Sequence, residues 1–180
     1  MFRLPVDTSL DLVLLEPRHA GMLFAVIEEN RAHLRRYLPW VDATRTVADA
    51  QTFIAASLDQ FARSQSLNVG LFCQSALVGM AGYHTIDWPN RRTALGYWLA
   101  ERSQGHGYMT RGVRALTTHA FAALGLNRLE IRAAPENRRS RAVAERLGYR
   151  PEGVCRQAEW LHDRFVDHAV YSMLAADWRG

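Results

Sequence analysis

The 180-residue sequence contains no lysine; all 22 of its basic residues are arginine. That absence excludes a Schiff-base or nucleophilic lysine, and it excludes the phosphate loop of nucleoside triphosphatases, which needs a Gly-Lys-Ser/Thr step. Cysteine is scarce as well. Cys73 and Cys155 are too few for a disulfide scaffold and lack metal-ligand spacing, so both are expected as free thiols. No apolar run approaches the roughly 20 residues that cross a bilayer. Residues 1–11 carry two acids, Asp7 and Asp11, and no apolar core of signal-peptide length, so the expectation is a cytoplasmic chain without a membrane partner. No repeat, low-complexity tract or Pro/Gly/Ser linker divides the sequence, which predicts one domain over residues 1–180.

What remains is an ordinary globular composition, 48% hydrophobic and 22% charged. A net charge of +4 points to an anionic partner without choosing between a nucleotide and a nucleic acid. No basic run is interleaved with exposed-type aromatics, so dedicated nucleic-acid binding is not expected. Residues 12–16 read as a strand, and Pro17 then opens a helix whose apolar face is Ala20, Leu23, Phe24 and Ile27. A second short helix covers 31–38. Thr46 and Asp49 form a capping box for a third, with Val47, Ala50, Ile54, Leu58 and Phe61 at helical spacing. Three β-like runs follow at 68–73, 76–85 and 93–100, an antiparallel meander. A Gly-rich loop, a helix to about Leu124 and a strand at 128–133 then make one β-α-β crossover. A helix at 138–147 stops at Gly148, and strands at 157–161 and 165–174 end the chain. The order predicts an α+β fold with a mixed, mostly antiparallel twisted sheet of about seven strands flanked by helices.

The segment Arg102-Ser103-Gln104-Gly105-His106-Gly107-Tyr108-Met109-Thr110 lies between a strand and an amphipathic helix. Glycines there allow a tight turn that gathers N–H groups at a helix N-terminus, where unpaired amides and the helix dipole favour an anion. A phosphate or pyrophosphate is the expected ligand, although Gly-x-Gly before a helix is also an ordinary turn. A dinucleotide loop of the Rossmann type fits poorly. Thr110 stands where a small residue is required, Glu130 falls inside a strand, and the preceding elements form a meander.

Arg102-x-x-Gly105-x-Gly107 resembles the Arg/Gln-x-x-Gly-x-Gly/Ala signature of the GNAT acetyltransferase superfamily. The block Glu136-Asn137-Arg138-Arg139-Ser140, followed by Leu147-Gly148-Tyr149, resembles its Glu-Asn-x-x-Ser…Leu-Gly-Phe/Tyr segment. The runs 33–41, 157–160 and 167–171 narrow the likeness to the RimL-like branch, which acetylates ribosomal-protein N-termini. The resemblance spans about residues 12–178. It implies acetyl-CoA as co-substrate, with no metal. It implies that the Leu99 backbone pairs with the pantetheine arm, and that the loop from Arg102 through His106, Tyr108 and Thr110 holds the donor, its pyrophosphate on Gly105, Gly107 and Thr110. Asn137 would then hold the pantetheine, Ser140 would sit beside the thioester sulfur, and Glu159 would be the general base. RimL-like chains commonly carry an acid where Ala94 and Leu95 stand here, which puts more weight on Glu159, with His84 and Glu101 as the alternative bases.

The chemistry suits these residues. An amine reaches the enzyme protonated at neutral pH, with a pKa near 8 for an α-amine, so a carboxylate must accept or relay its proton. Glu159 can do that and also attract the cation; it is equally readable as a solvent-facing acid of an edge strand. Ser140 can donate to the departing thiolate or merely occupy a helix's first turn. Arg111, Arg138, Arg139 and Arg141 are candidates for the outer phosphates of the donor. Tyr149 and Tyr171 are alternative acids better explained as core. His162, Asp163, Asp167 and His168 around one hairpin fit no zinc pattern. Of Trp40, Trp88, Trp98 and Trp160, most are expected in the core and one or two along an acceptor groove. Arg31, Arg35 and Arg36 suggest a basic rim for an acidic acceptor such as the ribosomal stalk protein. A small amine as acceptor, or a non-catalytic acetyl-CoA-binding module, are the competing functions, and a homodimer is compatible with all of them.

Overall fold

The computed structural model describes residues 2–180; Met1 lies outside them. The chain builds one eight-stranded sheet rather than one of about seven. The strands are β1 (Arg3–Pro5), β2 (Leu10–Leu14), β3 (Leu67–Cys73), β4 (Ala76–Tyr83), β5 (Arg92–Leu99), β6 (Arg128–Ala133), β7 (Arg150–Leu161) and β8 (Arg164–Leu174). Their spatial order is β1-β2-β3-β4-β5-β6-β8-β7, antiparallel at every step except β5 beside β6. The additional strand is β1, three residues ending in proline and pairing only with β2. Expectation also fell short at β7, which starts at Arg150 and not at 157.

Five α-helices cover the two faces. α1 (Ala20–Glu29), α2 (Arg31–Leu34) and α3 (Val47–Ala62) belong to one side, α4 (Tyr108–Ala122) and α5 (Arg138–Arg146) to the other. The capping box holds: Thr46 Oγ1 accepts from the Asp49 amide while Asp49 accepts from the Thr46 amide. Strand alternation then divides the core. On β4, Leu77 and Met80 pack with Leu23, Ile27 and Ile54 from α1 and α3, whereas Val78, Ala81 and Tyr83 pack with Val113 and Leu116 from α4. Burial of such Leu and Ile side chains is worth about 1.5–3 kcal/mol each, so both helix layers are anchored through one sheet. No helix among the described residues is long and apolar enough to cross a membrane.

The sheet splits at its only parallel step. β5 and β6 pair from Arg92↔Arg128 to Leu95↔Ile131 and no further. Beyond that rung, residues 96–99 continue to pair with β4, and Arg132 and Ala133 with β8. Two strands that keep one neighbour each while losing one another leave a V-shaped gap with free backbone on both walls. On the α5 side Tyr97 bridges the gap, its buried hydroxyl donating to the Ser140 carbonyl at 2.9 Å.

Candidate functional site

The loop between β5 and α4 begins at the open end of this split. Ser103 and Gln104 donate to the carbonyls of Ala100 and Glu101, closing a 3₁₀ turn. Then the amides run out of partners. None of the N–H groups of residues 105–110 donates to a carbonyl or side chain of the described residues; the next, Arg111, closes the first helical bond onto the Gly107 carbonyl. Gly105 at φ +82° and Gly107 at φ +72° occupy the left-handed region that turns these amides toward one side. A methyl group at either would meet no neighbour within 4 Å, so conformation and not space demands glycine. Six consecutive amides thus precede or open a 15-residue helix without a partner among the described residues, the arrangement in which helix N-termini favour anions.

The side chains around the loop divide into committed and free. Arg102 pairs with Glu29 at 3.1 Å. The His106 ring stacks on Tyr108 at 5.3 Å, and the Arg111 guanidinium lies 5.3 Å over Tyr108 while pairing with Asp7. Arg141 donates to the Tyr171 hydroxyl and the Pro135 carbonyl, so like Arg111 it is taken up by structure. Arg139 donates to Gln104 of the loop, and Arg138 is exposed beside it. His33 joins from α2, in contact with the Gln104 amide at 2.9 Å; burial lowers its pKa, Glu101 partly opposing.

Across the split stands the start of α5. Asn137 is its N-cap, its Oδ1 accepting from the Ser140 amide at 3.2 Å. That bond leaves the Asn137 Nδ2 donors and the Ser140 hydroxyl without partners among the described residues. Tyr149 and Tyr171 are buried as expected, and their hydroxyls are committed to Thr117 and to Glu145. The tryptophans are not core as expected: none of the five is buried, and Trp160 packs edge-on against Phe165 at 4.8 Å in the open.

Glu159 reaches the site through an irregularity that periodicity could not reveal. β7 pairs Cys155 with His168 and then Glu159 with Val166, so residues 156–158 bulge against Asp167 alone. Gln157 takes φ +48°, and its amide donates to the Asp167 carboxylate at 2.8 Å. Directly after the bulge, Glu159 lies 3.4 Å from His168 Nε2 with its side chain one-third exposed. It also stabilises the charged form of His84, which follows β4. His84 is a residue the motifs did not single out. The missing side chain of Gly96 leaves room for its ring.

A groove of roughly 950 Å³ opens between α2, the β7–β8 hairpin and residues 134 and 136 after β6. Of the expected basic rim, Arg31 donates to the Val41 and Thr44 carbonyls and to Glu28, and Arg35 pairs with Asp42. Both are structural. Arg36 and Arg164 line the groove without an ion pair among the described residues, together with Glu136, Asp163 and Asp167.

Residues 9–150 match the family model of the acetyltransferase (GNAT) domain. The chain belongs to the GNAT family. It is an acetyl-CoA-dependent N-acetyltransferase, and the loop that starts at Arg102 is where the sequence resembles the family signature. It is 35% identical to the putative ribosomal N-acetyltransferase YdaF of Bacillus subtilis (strain 168), over all of this chain and 99% of that one. It is 28% identical to the ribosomal-protein-serine acetyltransferase of Escherichia coli (strain K12), over 94% of each. The solved structure of RimL, a ribosomal L7/L12 alpha-N-protein acetyltransferase in complex with coenzyme A, superposes with a TM-score of 0.93 at 28% identity, covering 96% of this chain and 98% of that one.

Proposed function

We propose that this GNAT enzyme, working as a single domain, acetylates the N-terminal α-amine of a protein. The observation that carries the donor half is the run of six unpartnered amides at the mouth of the split. They receive the pyrophosphate of acetyl-CoA, with Arg138 and Arg139 beside them for its outer phosphates. Arg102 contributes by its place in the turn, and His106 and Tyr108 border the same loop. The pantetheine arm pairs with the free backbone of residues 96–99, Leu99 included, in place of the missing rungs, and Asn137 Nδ2 donates to it from the other wall.

The acceptor half rests on charge and room. The groove is open enough for an extended peptide terminus, and its acids attract the ammonium end. Glu159 draws that ammonium to the split and accepts or relays its proton, so that a neutral nitrogen can attack the thioester carbonyl. The free Ser140 hydroxyl donates to the sulfur as it leaves. A thiol of ordinary pKa about 8.5 is a fair leaving group, so this assistance is modest.

The reading is supported by the names of the relatives, two of which are described as acting on ribosomal proteins. Its test is a panel of N-terminal peptides and small amines (polyamines, aminoglycosides, amino acids) incubated with acetyl-CoA and read by mass spectrometry. Acetyl on peptide α-amines is expected. Rapid turnover of a small amine with none on any peptide would move the chain to small-molecule acetylation.

A further inference from the structure

We propose that His84 is the residue on which the ammonium proton comes to rest before attack, making it a catalytic residue for the transfer. The inference builds on the proposed amine acetylation. His84 is fixed by β5 on both sides of its backbone: its amide donates to the Ala94 carbonyl at 2.9 Å, and its own carbonyl accepts from Thr93 Oγ1 at 3.1 Å. The ring lies over Gly96, where a methyl group would fall 2.7 Å from Nε2 and 3.1 Å from Cε1. Gly96 is the first residue beyond the last β5–β6 rung. A nitrogen with acid–base chemistry therefore sits at the apex of the split, on the face of the sheet that carries α1, α2 and α3.

Its surroundings suit a proton acceptor. Burial of the ring, and after it Arg132 from β6, hold the imidazole below its ordinary pKa and so favour the neutral form that can accept a proton. Glu159 from β7 opposes them, stabilising the imidazolium once formed, and is itself 3.4 Å from His168 of β8. The remaining polar neighbours, Gln60 in the last turn of α3 and Gln65 after it, together with Ser66, Asn68 and Thr85, are uncharged and line a polar cavity of about 570 Å³ with His84 on its wall. A neutral imidazole offers a free nitrogen lone pair to the ammonium proton of an α-amine of pKa near 8, and Glu159 steadies the cation that results.

The step balances. With its own proton on Nδ1, His84 takes one ammonium proton on Nε2 and becomes imidazolium. The freed lone pair forms the C–N bond, the C–S bond breaks, and the second nitrogen proton leaves through Glu159. The thiolate takes up one proton from water, directly or through Ser140, which is reprotonated in turn, and His84 and Glu159 each return a proton to solvent, so that one proton net is released per turnover.

The test is the pH dependence of kcat for wild type, His84→Gln and His84→Ala with saturating acetyl-CoA and a peptide that has a free α-amine and is a substrate of the wild-type enzyme. His84→Gln should lose about 100-fold in kcat and lose the acid limb that wild type shows below pH 6.5. Acetyl-CoA affinity should stay within twofold, and added imidazole should restore part of the turnover of His84→Ala. A wild-type rate in His84→Gln overturns the proposal, as does a reduced rate with the acid limb intact and no imidazole rescue. If those results come with an inactive Glu159→Gln, only the role of His84 fails. A wild-type enzyme that binds acetyl-CoA and acetylates no amine removes the parent reading as well.

Discussion

Glu159 and Ser140 are asked, in the proposed reaction, for opposite things, one to draw in the ammonium and relay a proton away from the nitrogen and one to quench negative charge on the leaving group. Their variants should separate accordingly. Glu159→Gln is expected to lower kcat by about 10²–10⁴ near pH 7 and to recover as pH approaches that of the free amine, with acetyl-CoA affinity unchanged. Steady-state rates from pH 6 to 10 with equilibrium titration of acetyl-CoA check this; a flat, wild-type profile would remove Glu159 from the mechanism. Ser140→Ala should cost less than about 100-fold, and the deficit should fall with better-leaving thioesters. Residue identities of this kind were legible because motif residues stand close together in sequence. What was not legible was commitment. Arg31, Arg35, Arg111 and Arg141 read as free cations, yet each is held by a carbonyl or an acid outside its own helical turn, Asp7 being 104 residues from Arg111. For His84, an alternative base in the sequence, what the fold alone supplies is its place over Gly96.

At the scale of elements, the helices and the central strands could be read because apolar spacing and caps act locally. The terminal strands could not. β1 and the first half of β7 contain Pro5, Pro151 and Gly153, residues that argue against strands, and both lie at sheet edges where the missing ladder bonds cost little. What holds the first half of β7 is a charged clamp: Arg128 of β6 donates to Glu152, which also accepts from Ser172 of β8 at 2.7 Å. These bonds bring Glu152 down to about 2. A carboxylate depressed in this way contributes stability that is full above its unfolded value, near 4.3, and is lost as pH falls toward 2. Because the pair is 40% exposed on the glutamate side, screening limits the gain to about 0.5–1 kcal/mol. Glu152→Gln should be less stable by that amount at pH 7 and equal to wild type near pH 2, as measured by urea melts at both. The amide loop gives a second element-level expectation. Gly107→Ala forces a side chain into φ +72° at a strain of about 1–2 kcal/mol and turns the free amides away. Saturating acetyl-CoA at 100 times its Kd should raise wild-type stability by about 2.7 kcal/mol and the variant's by much less. Equal thermal shifts for the two proteins would place the donor elsewhere.

For the whole molecule, the decisive quantity is the distribution of a fixed positive charge. With no lysine, the cationic side chains other than histidine are guanidiniums that stay charged through any working pH, and the net charge is +4. Around the groove that charge is carried by Arg36 and Arg164, while Glu136, Asp163 and Asp167 supply the opposite sign within the same opening. A protein whose N-terminus is a lone ammonium on an acidic body would satisfy both signs at once. A neutral peptide uses only the acids, and a polyamine would meet repulsion from the arginines. Long-range attraction of the acidic body speeds encounter and fades with salt, since charges more than about 8–10 Å apart are screened at physiological ionic strength. The expected outcome is a kcat/KM for an acidic acceptor protein, such as purified ribosomal stalk protein, that falls several-fold between about 20 and 300 mM salt while that of a short neutral peptide hardly moves. Arg36→Glu combined with Arg164→Glu should flatten the salt dependence and depress the protein substrate far more than the peptide. Arg35→Glu should act through stability instead, because it breaks the contact with Asp42. Mass spectrometry of the acceptor locates the product: acetyl on the α-amine with this salt profile supports steering to an acidic protein terminus, and acetyl confined to lysine side chains would overturn it.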